Sequence, residues 1–326
     1  MDKVFLKKLT AAWAPSGRED EVRAFLAKEA EKICDDVTTD VLGNLIVHRK
    51  GAGKKILLCS HMDTNGLVLL EFDEKGYGRV GKVGKMDAAA FVGRTIVFKN
   101  GEKAVLACGD SLEKAPEYED LYADFGVQGR DNARKKADIA DMAVPCPEVS
   151  ILGSRLAGFG ASDRIGCAVI LEALRHDKSD ADLYVVFSAQ EKVGSRGAGA
   201  VSWAVDPDYA INVHAATAGD APGCKRACLK LGAGPSIEVM DKTAIVPPVM
   251  RDKLKAAAEG ADLPYQLDAL CYDISDAASL QRAGKGVYTG AVAVPARYIG
   301  TGAEMVDLTD AENAVRLLNA FIKENA

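Results

Sequence analysis

The sequence predicts an α/β protein: a mostly parallel sheet covered by helices on both faces, with a small all-β, barrel-like domain inserted into it. Three observations carry this expectation. Continuous apolar runs of strand length, Lys55 to Ser60 and Leu183 to Phe187, read as buried parallel strands rather than half-exposed ones. Segments with helical spacing separate them, and this alternation is what a parallel sheet needs for its crossovers. Between Gly66 and Val149 the helical period disappears, and short Gly- and Val-rich alternating runs take its place. The expected division is therefore 1–65 with 151–326 as the α/β domain, and 66–150 as the insertion. A chain of 326 residues has room for both.

In chain order, residues 2–12 read as a short helix. Ser16 opens a longer one, with Glu19 three residues on as a capping box and Val22, Phe25, Leu26 and Ile33 as its apolar stripe. Leu42 to Val47 is a turn entering a strand. Lys55 to Ser60 is a buried strand ending on His61-Met62-Asp63. Within the insertion, Gly78 to Gly84 and Arg94 to Phe98 are short strands, and Gln128 to Asp141 is a solvated face or short helix.

The α/β alternation then resumes. Asp163 to His176 is a helix through Ile165, Val169, Leu171 and Leu174, and Leu183 to Phe187 is a strand. Gly194 to Val205 is a helix, and Tyr209 to Val213 is a strand ending at His214. Strands follow at Ala227 to Leu231 and Ser236 to Met240, then a helix from Pro247 to Glu259. Tyr265 to Leu270 is a strand, Ala277 to Arg282 a short helix and Gly286 to Val294 a strand. Thr309, with Glu312 as capping partner, begins a last helix to Lys323.

Composition excludes several classes. Hydrophobic content of 48% and charged content of 27% describe a globular chain with a full core. A net charge of −6 argues against nucleic acid or an anionic membrane as partner. No apolar run approaches the roughly 20 residues of a membrane span, and the N-terminus lacks a signal-peptide core, so the cytoplasm is the expected location. Eight scattered cysteines without a Cys-x-x-Cys pair fit a reducing compartment. Cys59 and Cys167 read as core residues. Cys224 and Cys228 lack the second pair that a zinc site needs.

Polar residues recur just after the strand-like runs: His61 and Asp63, Ser162 and Asp163, Glu191 and Lys192, His214, and Asp220. In a parallel sheet such positions converge on one edge, where α/β proteins place their sites. Glu191, in Ser188-Ala189-Gln190-Glu191-Lys192-Val193-Gly194, is a candidate general base. Asp276 is expected to shape the cleft through backbone hydrogen bonds.

The local words and their order resemble metallopeptidase family 42. This family comprises the glutamyl, deblocking and tetrahedral aminopeptidases, and some members carry an endoglucanase description. The words include Pro15-Ser16-Gly17-Arg18-Glu19, Leu42-Gly43-Asn44-Leu45, His61-Met62-Asp63, Asp163-Arg164-Ile165-Gly166-Cys167, Gln190-Glu191, Val193-Gly194-Ser195-Arg196-Gly197-Ala198, Gly219-Asp220-Ala221-Pro222, Gly232-Ala233-Gly234-Pro235, Ser275-Asp276-Ala277 and Pro295-Ala296-Arg297-Tyr298. The resemblance implies that the inserted domain serves dimerisation. It also implies a two-metal aminopeptidase in which five side chains hold the ions and a glutamate activates the bridging water.

His61 stands at the first implied ligand position, Asp63 at the residue that supports it, and Glu191 at the catalytic glutamate. The other four implied ligand positions hold Ser162, Lys192, His214 and Gly300. A serine hydroxyl is a poor bridge between two divalent ions, a charged ammonium has no lone pair, and glycine has no side chain. Lys192 would fill the vacated space and pair with Asp163 or Asp220.

The expectation is a catalytically inactive or strongly diverged member that needs no cofactor. It would bind a peptide or amino acid, or serve as a structural subunit of a homo-oligomer or beside an active paralogue. The alternative is an aminopeptidase with one weakly bound divalent ion, zinc or cobalt, at His61 and His214, with Glu191 as base. A serine mechanism through Ser162, assisted by Lys192 or His214, lacks a nucleophile-elbow motif.

Overall fold

The computed structural model describes residues 1–109, 115–224, 229–269 and 273–326. The strands in chain order are β1 Val37–Thr39, β2 Leu45–Arg49, β3 Lys55–His61, β4 Gly66–Phe72, β5 Gly78–Val83, β6 Thr95–Phe98, β7 Lys103–Cys108, β8 Leu121–Asp124, β9 Met142–Pro145, β10 Ser150–Leu152, β11 Arg155–Ala157, β12 Asp182–Ser188, β13 Tyr209–Thr217, β14 Ser236–Glu238, β15 Gln266–Asp268, β16 Tyr288–Arg297 and β17 Met305–Asp307. The helices are α1 Lys3–Ala11, α2 Asp20–Ala30, α3 Arg130–Arg134, α4 Ala161–His176, α5 Arg196–Val205, α6 Pro248–Gly260, α7 Ala277–Gln281 and α8 Leu308–Asn325.

The expected mostly parallel sheet is present. Its path runs β1-β2-β12-β3-β13-β16-β17-β11-β10, with β14 and β15 branching from β16. The long central strands β12, β3, β13 and β16 pair in parallel, and short antiparallel strands extend both edges. β3 shows why the centre reads as a continuous apolar run. Ile56 and Leu58 point into the core under α4, α6 and α8, while Leu57 and Cys59 point into the core under α5 and α7. Both faces are covered, so both alternating sets must be apolar.

Helix α4 lies unusually close to the sheet. A Cβ at Gly166 would stand 2.3 Å from Ser60 Oγ and 2.5 Å from the Val213 carbonyl. Only glycine permits this approach, which brings the first turn of α4 against the strand ends.

Strands β4 to β9 close into a barrel in the order β4-β5-β8-β7-β6-β9. Its core holds Leu67 and Leu69 on alternate positions of β4, Ile96 and Phe98 on alternate positions of β6, and Phe72, Leu106 and Phe125. Trp13 packs into that core and donates its indole N–H to the Val97 carbonyl at 3.1 Å, anchoring the chain before α2 to the barrel.

Several expected boundaries are corrected. No capping box opens α2: the helix begins at Asp20, Ser16 lies in the preceding turn, and Glu19 instead accepts from the Gly17 N–H at 2.6 Å. The last helix is capped by Asp307, whose carboxylate accepts from the Thr309 N–H, while Glu312 pairs with the N-terminal ammonium. β13 continues three residues beyond His214, to Thr217. Residues 229–231 form no strand. The other parts of that expectation, Ala227 and Cys228, and Leu270 of the following strand lie outside the described residues. Among the described residues, no helix is long and apolar enough to cross a membrane.

Candidate functional site

The site is built where β3 and β12 end side by side. Ser188 is in register with His61, and Met62 donates to the Ser188 carbonyl at 2.9 Å. Beyond β12 the chain turns sharply through Gln190, whose φ of 59° is left-handed, a strained setting for a residue other than glycine. Two buried carboxylates hold this turn. Glu19 accepts from the Gln190 N–H at 3.1 Å, and Asp63 accepts from the N–H groups of Glu191 at 3.1 Å and Lys192 at 2.9 Å.

Asp63 also faces His61, whose Nδ1 lies 3.2 Å from the Asp63 carbonyl and 3.4 Å from its Oδ1. Burial would raise the Asp63 pKa. The His61 hydrogen bond, the Lys192 charge and the backbone donors outweigh it and hold the carboxyl at about 2. Burial and Lys192 push His61 down, but Glu191 and Asp63 prevail and its pKa ends raised.

Lys192 is the centre of the arrangement. Its Nζ lies 2.9 Å from Asp163 Oδ1, in the first turn of α4, and 3.1 Å from Glu191 Oε2. Burial opposes its charge, but Asp163, Glu191 and Asp63 overcome this and hold the pKa well above the ordinary lysine value. It is an ammonium at any working pH. Of the two expected partners it takes Asp163 only. Asp220 is instead paired with Arg297, whose Nε lies 2.7 Å from Oδ1, and it accepts from the Leu231 N–H.

The remaining positions are likewise occupied from within. His214 Nε2 lies 2.9 Å from Glu238 Oε2, on β14, the strand beyond β16. Burial lowers the His214 pKa, but Glu238, with Asp273 and Asp241 behind it, raises it to about 9, so the ring is an imidazolium. Ser162 gives its hydroxyl to Glu304 at 2.7 Å and its backbone N–H to the same oxygen at 3.1 Å. Gly300 donates to the other Glu304 oxygen at 3.1 Å. Burial and the nearby Asp163 raise Glu304 to about 8. Asp276 accepts from the Ser188 hydroxyl, and its backbone carbonyl receives the N–H groups of Ser279 and Leu280. Burial and repulsion from Glu191 raise its carboxyl to about 6. Among the described residues, no group of three or more His, Cys, Asp or Glu side chains is arranged to hold a metal ion.

Comparison with known proteins agrees with this architecture. The model of the M42 glutamyl aminopeptidase family matches residues 43–317, a span containing every candidate residue from His61 to Gly300. The chain belongs to the M42 family. A putative aminopeptidase of Acetivibrio thermocellus is 35% identical over 96% of each chain. An aminopeptidase structure from the archaeon Desulfurococcus kamchatkensis superposes with a TM-score of 0.95 at 33% identity, over 98% of this chain and 94% of that one. A Pyrococcus horikoshii peptidase that can assemble into a tetrahedron or a large octahedral shell has a TM-score of 0.88 at 27% identity, over 98% and 99% of the two chains. Against that M42 background, the structure brings together His61, Asp63, Asp163, Glu191 and Lys192, and it places Ser162 and Gly300 on a common carboxylate.

Two acidic residues, Glu238 and Glu304, have no role in the sequence-based expectation, and Glu19 has a role other than the helix cap expected of it. Glu238 and Glu304 complete the environments of His214, Ser162 and Gly300, and Glu19 fixes the turn before Glu191. Glu238 left one signal, a lone carboxylate in the apolar run Ser236-Ile237-Glu238-Val239. Glu304, in a glycine-rich loop, left none.

A pH dependence follows from these environments. His214 and Glu304 both hold their protons more tightly folded than unfolded. The stability they contribute is full below the unfolded values of 6.5 and 4.5, and it is lost as pH rises through about 9 and about 8. Between pH 6.5 and 8 both contributions fall together, each by up to about 1.4 kcal/mol per pH unit. Thermal unfolding across this range is expected to show a falling Tm. Glu304→Gln should flatten the part below pH 8, whereas an unchanged slope in that variant would show that Glu304 does not titrate there.

Proposed function

We propose that this chain is a diverged M42-family protein whose site has settled into a metal-free state and does not run two-metal hydrolysis. One observation carries the reading. The Lys192 ammonium stands between Asp163 and Glu191, at a position where the family resemblance calls for a metal-binding carboxylate. The residues present do not fit two divalent ions. Lys192 has no lone pair, Gly300 has no side chain, and the Ser162 hydroxyl is committed to Glu304. The changes are also mutually consistent: carboxylates disappear together with the ions that would offset them, and cations appear in their place. The cleft is proposed to bind a peptide or amino acid without cleaving it, in a cytoplasmic homo-oligomer. The shell-forming Pyrococcus horikoshii peptidase supports the oligomer by likeness.

The second reading, peptidase activity through one ion on His61 and His214, requires His214 to offer a lone pair. Glu238 beside its Nε2 helps raise its pKa to about 9, so near neutral pH both ring nitrogens carry protons and neither offers a lone pair, which argues against it. Assays with a panel of aminoacyl-4-nitroanilides separate the two. The metal-free reading predicts no turnover above that of Glu191→Gln, with or without zinc or cobalt. Chelator-sensitive turnover that Glu191→Gln abolishes would establish the second.

A further inference from the structure

The seat of the Lys192 ammonium is built like a binding site. Its two carboxylate walls come from different elements, Asp163 from the first turn of α4 and Glu191 from the turn after β12. They are 3% and 6% exposed, so neither can turn to bulk water. Asp163 Oδ2 is buried and has no hydrogen-bond partner, and Glu191 Oε2 has the charge contact with Lys192 but no hydrogen bond of good geometry.

The backbone beneath the seat is fixed by the Lys192 N–H to Asp63. The barrel loop after β5 closes over the lysine stem: a Cβ added to Gly84 would lie 3.0 Å from Lys192 Cβ. The loop is pinned by the Lys85 N–H to Asn65 Oδ1 at 2.8 Å and by the Asp87 N–H to the Gly300 carbonyl. The loop over the stem is therefore held by bonds that the Lys192 side chain does not supply.

We propose that this seat is a cation site that the protein fills with its own side chain, and that truncating Lys192 opens it to a small primary alkylammonium ion. The inference deepens the metal-free reading and rests on it. Lys192→Ala removes three methylenes and the ammonium, so n-propylammonium is the missing piece in both length and charge. Two buried carboxylates left without their cation give the site its affinity. The same walls without Ser162 and Gly300 as ligands do not make a divalent-metal site.

The test is thermal unfolding of wild type, Lys192→Ala and Lys192→Met, titrated with n-propylammonium chloride. Sodium chloride and tetramethylammonium chloride at matched ionic strength serve as controls, together with zinc and manganese. The expected result is a saturable rise of about 3 °C or more in the Tm of Lys192→Ala with n-propylammonium alone. Wild type should show no such rise, and neither should Lys192→Met, whose side chain occupies the space of the lysine stem and so excludes the propyl chain. An equal response of Lys192→Ala and wild type, no response of Lys192→Ala, or rescue by zinc in place of the amine would each overturn the proposal. If Lys192→Ala does not fold unaided, its refolding yield with and without n-propylammonium is the readout, and an unchanged yield overturns the proposal equally. Failure here with a metal-free wild type would leave the proposed function standing, whereas stoichiometric metal in wild type would remove both.

Discussion

Restoring ligand-type side chains at four positions together, Ser162→Asp, Lys192→Glu, His214→Asp and Gly300→His, is expected to create a metal binder that is much less stable than wild type when metal-free. The substitutions remove the Lys192 and His214 cations and add three buried carboxylates. The one at 162 would face Glu304, the one at 192 would face Asp163 and Glu191, and the one at 214 would face Glu238. Each such contact costs on the order of several kcal/mol unless an ion offsets it. Gly300→His meets ordinary space, with its Cβ 3.6 Å from the Lys85 carbonyl, but the backbone φ of 80° is left-handed and costs about 1 kcal/mol. Differential scanning fluorimetry should show a Tm lowered by about 10 °C or more without metal and largely recovered with zinc. A variant that stays stable and metal-free would mean that these positions do not converge.

Asp63→Asn is expected to destabilise the protein by about 3–5 kcal/mol, as breaking a buried charge network does. The Asp63 carboxylate is fully buried and accepts from two successive backbone N–H groups, those of Glu191 and Lys192, while facing His61. An amide can present only one acceptor oxygen, so one backbone donor would meet an NH2 group. The charge that helps hold His61 and Lys192 also disappears. Because Asp63 has a pKa of about 2 when folded, its contribution is present above the unfolded value of 3.8 and is lost only as pH falls through about 2. Denaturant unfolding near pH 7 checks the substitution. A loss under about 1 kcal/mol would show that the turn after β12 does not depend on this carboxylate.

The parts legible in the sequence were those that local pattern determines. Lys55 to Ser60 reads as a buried strand because both its faces are covered, so no polar residue interrupts it. The barrel was legible because its strands alternate, Leu67 and Leu69 inward with Val68 between them. Charge alone points to a pairing of Lys192 with a nearby carboxylate, but it does not choose between Asp163 and Asp220. Arg297, on β16, captures Asp220, and only the fold decides that. The end of β13 was misplaced because Ala215-Ala216-Thr217 carries no turn signal. Helix caps failed for a related reason: Ser16 and Thr309 are suitable capping residues, but Glu19 and Asp307 lie nearer the true helix starts. Glu304 was invisible because its burial comes from contact with a helix more than a hundred residues away in sequence.

A lysine ammonium in the place of a metal, as proposed, leaves the purified protein without bound divalent ions. The most direct test is metal content by elemental mass spectrometry, after incubating the purified protein with zinc, cobalt and manganese and desalting. The account predicts near-zero metal per chain. Two ions per chain, the complement of a working two-metal site, would contradict it, because Ser162, Lys192 and Gly300 could not then have the environments described.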